Sequence, residues 1–280
     1  MVVTCQIQGG LGNQLFQIFA TISYAMENGQ TFTFEYNTNS PSITKRPTYW
    51  NNFLLPLLKY TSTTLPSQVF HLNEAGFDYT PLPSVPYNVY LHGYFQSEKY
   101  FLPRYKEITQ LIHLDEQKKI IKKITPINND FSTLASMHFR LGDYKNLPDH
   151  HPIMPYEYYK NSVNCILINT DIRHFLYFCE AEDNDFVSSI IDKLTLNFVT
   201  QGCVFIKAPD KIADWKQLLM MSCCQHNIIA NSSFSWWGAY FNSNPDKIVC
   251  YPDKWFGPKM AYNDVKDLFP PSWVQVSTSN

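Results

Sequence analysis

The stretch Val2–Tyr36, VVTCQIQGGLGNQLFQIFATISYAMENGQTFTFEY, decides the class of fold. Val2 to Ile7 is a short apolar run that ends at Gly9-Gly10-Leu11-Gly12, and Leu15, Ile18, Phe19, Ile22 and Met26 then recur at helical spacing. Gly29 stops the helix. Thr31-Phe32-Thr33-Phe34-Glu35-Tyr36 alternates β-branched and aromatic residues as a strand does. Strand, glycine turn, helix and strand make a βαβ unit.

From Asn37 to about Pro103 the periodicity fades among prolines (Pro41, Pro47, Pro56, Pro66, Pro81, Pro83 and Pro86), which predicts loops and short elements. A second series opens at Ala135–Phe139 as a strand. It continues as a helix from Tyr156 to Cys165, a strand Phe175–Cys179, a helix Phe186–Leu194, a strand Cys203–Ile206 and a helix Ile212–Cys223. A strand Asn227–Ala230, a helix from Phe234 and a strand Ile248–Tyr251 complete it. Strands alternating with helices predict parallel sheets covered on both faces. Two such runs predict an α/β protein of two Rossmann-like domains facing a cleft, residues 1–128 and 129–280, with Lys118–Pro126 as the join. No internal repeat or low-complexity tract interrupts them.

Composition narrows the partners. The 280 residues carry 22 basic and 24 acidic side chains, so the net charge of -2 gives no electrostatic footprint for nucleic acid and no polybasic patch for lipid. Phe, Tyr and Trp make up 16% of the chain, which suits either a dense core or a sugar-facing surface. Seven cysteines without a C-x-x-C pair read as reduced core residues of a cytoplasmic protein rather than as zinc ligands or disulfides. The stretch Met1–Ile7 lacks the basic n-region and long apolar h-region expected of a signal peptide, and no apolar run approaches the ~18 residues of a transmembrane helix. The chain is expected to be soluble.

Three clusters could carry chemistry. Gly9-Gly10-Leu11-Gly12-Asn13-Gln14 lies past the carboxyl end of a parallel strand, where such sheets place ligands, so Gly10, Gly12, Asn13 and Gln14 read as a ligand-contacting loop in the cleft. The alternative is a tight turn with ordinary capping. Leu15 occupies the third glycine position of a dinucleotide fingerprint, which argues against a nicotinamide cofactor. The second cluster, His138-Phe139-Arg140-Leu141-Gly142-Asp143-Tyr144, leaves a buried strand with one of only four arginines in the chain. A guanidinium suits a phosphate, and the competing reading is an Arg140–Asp143 ion pair that staples the loop. The third, Asn231-Ser232-Ser233-Phe234-Ser235-Trp236-Trp237, runs from a strand through hydroxyls into a helix, a neutral anion site or a simple N-cap. Trp236 and Trp237 are expected in the core. Asp183-Asn184-Asp185 could hold a divalent cation, but acidic residues before a helix serve its dipole, and capping is the expected role. His150-His151 is expected on a solvated loop.

In this order the clusters resemble the α-1,2-fucosyltransferase family, glycosyltransferase family 11, with its G-G-x-G-N-Q-x-F-Q, H-x-R-R-x-D and N-S-[ST]-F-S-W-W motifs. They stand here as Gly9–Gln17, His138–Asp143 and Asn231–Trp237, and Leu91–Phe101 looks like the family's G-Y-[WF]-Q-S-x-K-Y-F segment. The resemblance implies a GT-B-like architecture with the donor held mainly by the second domain. It further implies inverting transfer of L-fucose from GDP-fucose to the 2-hydroxyl of a β-galactose-terminated glycan, with no cofactor and no essential metal. Arg140 would then meet the β-phosphate, His138 the nucleotide, and Ser232 and Ser233 with Asn231 the pyrophosphate. Asp214 falls where related enzymes place a carboxylate against guanine, and Asp143 is the expected general base. Tyr49, Trp50, Tyr94 and Phe95 are further aromatics that could stack on sugar, with core packing the equal alternative for each. One departure stands out: the family's second arginine is Leu141 here.

Overall fold

The apolar run at the N-terminus forms the strand Val2–Cys5 in a computed structural model that describes residues 1–37, 39–40, 46–125 and 130–279. The described chain divides into two compact units, Met1–Gln117 with Asn263–Pro270, and Lys118–Tyr262 with Pro271–Asn280. The division expected at 128/129 lies outside the described residues; the observed one falls within the helix Leu114–Ile124.

In the first unit four parallel strands run in the order Thr31–Phe32, Val2–Cys5, Val89–His92, Phe70–Asn73. Leu15, Phe16, Ile18, Phe19 and Ile22 of the helix Leu11–Glu27 are wholly buried, each contributing roughly 1.5–3 kcal/mol by leaving water. The helix ends just before Gly29, whose φ of 62° turns the chain back. The strand expected over Thr31–Tyr36 is broken. Thr31–Phe32 pairs with Val2–Val3, whereas Phe34–Glu35 leaves to pair with Thr61–Ser62, because Phe34 buries its ring against Trp50 at 5.5 Å. Among the short elements expected in the proline-rich stretch are Phe70–Asn73 and Val89–His92, which complete the sheet. Phe70–Asn73 is an edge strand burying Leu72 alone, so its alternation leaves almost no trace in the sequence.

The second unit follows the sequence pattern closely. Six parallel strands run in the order Val204–Lys207, His174–Phe178, Leu134–His138, His226–Ile228, Val249–Pro252, Val274–Val276. The helices Tyr156–Asn169, Asn184–Phe198, Asp214–Cys223 and Ser233–Tyr240 connect them. Leu134–His138 is buried along its whole length, as a central parallel strand must be. Tyr158 and Tyr159 are buried from one helix and keep their hydroxyls satisfied. Tyr158 donates to Ile229 O (2.5 Å) and Cys250 O (3.1 Å), and Tyr159 donates to His138 O (3.1 Å). Trp236 and Trp237 are wholly buried, as expected. The helix that carries them packs closely on Asp214–Cys223, since a Cβ on Gly238 would lie 2.9 Å from Met221 Cβ. All seven cysteines are free thiols, buried except for half-buried Cys165. No helix among the described residues is long and apolar enough to cross a membrane.

The six-stranded sheet has a point where successive strands leave in opposite directions, between Leu134–His138 and His226–Ile228; in the four-stranded sheet Val2–Cys5 and Val89–His92 are the two central strands. Open parallel sheets bind ligands beyond the carboxyl ends of the strands at such a point.

Candidate functional site

The second unit brings two of the sequence clusters to its switch point. Met137 is in register with Ile228, so the loops after these strands emerge side by side. Tyr144 Oη donates to Asn231 O (3.1 Å), and the His138 ring lies 5.5 Å from that of Phe234. Arg140, with its side chain 18% exposed, donates to Asp143 and Glu180 at once, and its guanidinium sits 5.1 Å over the Tyr144 ring. The Arg140–Asp143 staple, the reading that competed with a phosphate site, is therefore present, with a second carboxylate that sequence reasoning missed. Glu180 follows the neighbouring strand His174–Phe178, and only strand pairing brings it to Arg140.

Asp183 braces the same loop. It is buried, accepts from Gly142 N (3.1 Å) and pairs with Lys145; its side chain makes no cap bond to the helix it precedes. The capping role expected for Asp183 is thus replaced by tertiary bracing. Glu180, Glu182 and Asp183 approach one another as an acidic cluster, but Arg140 and Lys145 already neutralise two of its three members. Gly142 is required at its position, since its φ is +43° and a Cβ there would meet the Glu180 carboxylate at 3.1 Å. Leu141 is buried in the apolar cluster beneath the loop, so the side chain at that position fills core space and brings no cation to the site. His151 stacks on Tyr144 at 4.6 Å, contrary to the solvated loop expected.

Ser232 caps the helix Ser233–Tyr240, its Oγ accepting from Phe234 N (3.3 Å), while Ser233 is half-buried on the first turn. Asn231 is a brace: its Nδ2 donates to Pro152 O (2.9 Å) and Trp255 O (3.1 Å), tying three loops together. Asp214 is exposed at the start of the helix packed beside it, its Oδ1 accepting from Trp215 N (2.7 Å).

His138 is 7% exposed, and its Nδ1 has no hydrogen-bond partner among the described residues, an unmet polar atom at the switch point. Burial, and then the charge of Arg140, push its pKa down to about 3, so the imidazole is neutral at physiological pH. Below the ordinary histidine value of 6.5 the unfolded chain takes up a proton that the folded one refuses, and stability falls as the pH drops from 6.5 towards 3. His138→Leu should remove about 2 kcal/mol of the stability lost between roughly pH 7.5 and 5. Urea titrations at the two pH values check this; an equal loss in both proteins would refute it.

In the first unit the glycine loop is organised differently from the sequence expectation. Gly10 is the helix N-cap with open space around it, and Gly12 is buried in the first turn. Gly9 is the glycine the backbone needs: its φ is +79° and a Cβ would strike Asn13 Nδ2 at 2.7 Å. Gln14 does not project outward. It is buried, and its Nε2 donates to Gly9 O and Pro47 O, both at 2.9 Å. Asn13 is half-buried, and its Oδ1 accepts from Gln96 Nε2 (3.0 Å), which joins the glycine loop to the Leu91–Phe101 segment beyond the two central strands of the sheet. Of the four aromatics considered for sugar stacking, Tyr49, Trp50 and Phe95 are buried, and Tyr94 is 39% exposed. Glu74, at the end of the edge strand, accepts from Tyr94 N (2.7 Å) and Phe95 N (2.8 Å). No motif marks it, and it too escaped the sequence.

Comparison with known proteins places these observations. A model of glycosyl transferase family 11 matches residues 42–277. The O-antigen biosynthesis glycosyltransferase WbnK of Escherichia coli is 30% identical over 180 residues, 62% of this chain and 54% of that protein, so the match spans about half the relative's length. An E. coli alpha-1,2-colitosyltransferase is 23% identical over 98% of this chain and 99% of its own. A galactoside 2-alpha-L-fucosyltransferase of Caenorhabditis elegans is 22% identical over 99% and 80%. Among solved structures, an E. coli ADP-heptose LPS heptosyltransferase II superposes with a TM-score of 0.50 at 9% identity, covering 98% of this chain and 89% of that one. At that identity the likeness concerns the fold, and it agrees with the α/β class read from the sequence and the GT-B-like architecture that the family resemblance implied.

Proposed function

From the premise that the chain belongs to glycosyl transferase family 11, we propose that it transfers L-fucose from GDP-fucose to the 2-hydroxyl of a terminal β-galactose, with inversion and without an essential metal. The observation that carries this reading is the second unit's switch point. There a partly exposed guanidinium, a neutral buried imidazole with an unmet nitrogen and a serine-capped helix N-terminus stand together. This set suits a diphosphate leaving group.

In the proposed step the acceptor hydroxyl attacks the anomeric carbon while the bond to the β-phosphate oxygen breaks. GDP leaves with the electron pair, and the hydroxyl proton passes to a base. Negative charge builds on the β-phosphate as the sugar gains oxocarbenium character, and Arg140 with the Ser232–Ser233 helix start would stabilise it. Phosphate oxygens would exchange with one of the two carboxylates that Arg140 holds. Asp214, exposed and acceptor-only, would take the N1 and N2 donors of guanine. Asp143 is our base; Asp143→Asn should lower turnover at least ~30-fold while GDP affinity does not fall, as for a group used in the transition state. Turnover within about twofold of wild type would remove it from the mechanism. The free thiols suit a reducing, cytoplasmic setting for this chemistry.

The test is incubation with GDP-fucose and lactose in EDTA, following GDP release and product mass. A product heavier by one deoxyhexose establishes the reaction and its independence of added metal. A second reading, transfer of a different sugar to a 2-hydroxyl, is favoured by the end-to-end match to the colitosyltransferase and by Leu141. GDP binding without turnover of GDP-fucose would select it.

A further inference from the structure

Glu74 is half-buried at the carboxyl end of the strand Phe70–Asn73, and its own N–H donates to His92 O (2.7 Å). Its two carboxylate oxygens take the successive N–H groups of Tyr94 and Phe95. Those amides belong to a turn in costly geometry. Gly93 has a φ of 154°, where a Cβ would lie 2.4 Å from Glu74 Cβ, and Phe95 is a buried non-glycine residue at a φ of 53°. A turn of this kind persists only when its surroundings over-determine it. Here the carboxylate, the Ser97 N to Phe95 O bond (2.8 Å) and the Phe95 ring against Tyr100 (5.2 Å) do so. The turn leaves Tyr94 facing solvent and sets Gln96 on Asn13 beside the glycine loop.

We propose that Glu74 is a positioning residue for the sugar acceptor: its carboxylate holds the Gly93–Gln96 turn so that Tyr94 and the Asn13–Gln96 pair are presented together beyond the carboxyl ends of the two central strands, Val2–Cys5 and Val89–His92. The assignment of that surface to the acceptor rests on the function proposed above. Burial pushes the Glu74 pKa up to about 7, against which the two backbone donors pull only partly. Tyr100 is the titratable side chain that senses Glu74, and its phenol, pushed up to about 12 mainly by burial, is neutral throughout. Protonated Glu74 turns one oxygen into a donor facing an N–H, so the turn loses one of its two anchors as pH falls through about 7. Stability runs the other way. The folded chain holds this proton more tightly than the unfolded one, whose value lies near 4.5, so the group's stabilisation is complete below 4.5 and is lost as pH rises through 7. The charged, turn-holding form is thus kept at a cost in stability.

The experiment compares wild type with Glu74→Gln in acceptor KM, kcat and GDP binding from roughly pH 6 to 8.5, alongside hydrogen exchange of the Tyr94 and Phe95 amides. The variant should raise acceptor KM about tenfold at pH 8, equivalent to one lost hydrogen bond, with GDP affinity unchanged. The rise in KM that wild type shows below pH ~7 should be absent from it. An unchanged KM, or the same acid-side rise in the variant, overturns the proposal. The exchange measurement needs neither transfer nor the variant: in wild type, protection of the two amides, corrected for intrinsic rate, should fall between pH 8 and 6. Constant protection overturns the holding role. If that protection titrates but no fucose is transferred to any galactoside, the proposed function fails while the role of Glu74 in holding the turn is supported.

Discussion

Arg140→Ala should lower kcat/KM for GDP-fucose by about 100- to 1,000-fold, the usual loss when a preorganised donor to a developing oxyanion is removed. The expectation rests on its place at the switch point and its 18% exposure, enough for a ligand to reach it while the Tyr144 ring and two carboxylates fix its direction. Arg140→Lys should do nearly as badly, because an ammonium cannot present the planar pair of N–H groups that a phosphate takes. Glu180→Gln should act in the opposite sense on binding. It relieves one of the two carboxylates competing with phosphate, and GDP affinity should rise roughly three- to tenfold at low salt. Calorimetric titration with GDP and initial rates at saturating acceptor check both. An Arg140→Ala protein within about threefold of wild type would remove the guanidinium from the reaction.

Gln17→Ala should be the most destabilising exchange among the polar residues of the glycine-loop motif. Its side chain is wholly buried and makes a reciprocal pair with Gln8, accepting from Gln8 N (2.8 Å) and donating to Gln8 O (3.1 Å). Truncation strands both backbone groups and leaves a void in the face of the helix that covers the first sheet. We expect a loss of about 2–4 kcal/mol in the first unit. Gln17→Glu should not rescue it, since a carboxylate cannot donate to Gln8 O and would bury a charge. Urea unfolding followed by fluorescence measures the loss; a change below about 0.5 kcal/mol would show that the site relaxes and water replaces the amide. Gln14 plays a parallel part, clamping Gly9 O and Pro47 O. A motif that looks like a ligand loop is therefore built largely of struts, with Asn13 and Gly10 left towards the surface.

The second unit was readable because its strands are central and buried on both faces, so that Leu134–His138 and His174–Phe178 appear as near-continuous apolar runs between helical periods. The first unit was readable only through its βαβ opening. Its remaining strands are short, and Phe70–Asn73 buries a single side chain, which leaves periodicity nothing to register. The site divides similarly. His138, Arg140 and Ser232 follow strands in sequence, so their position past a strand end is a local property, whereas Glu180, Asp183 and Glu74 act on loops that belong to other strands.

Local order along the chain determined that this is an α/β protein, that its three motifs stand at strand ends, and that the tryptophan pair is core; each depends on propensity and period over a few neighbouring residues. The tertiary structure alone decided which carboxylates hold Arg140, that Gln14 and Asn231 are struts, and that Glu74 braces a strained turn. Those facts depend on the lateral order and register of parallel strands, which bring together residues 40 apart at Arg140 and Glu180 and 20 apart at Glu74 and Tyr94. Strand order is chosen by how the whole sheet buries its apolar faces, a sum over many contacts that no single stretch of sequence contains.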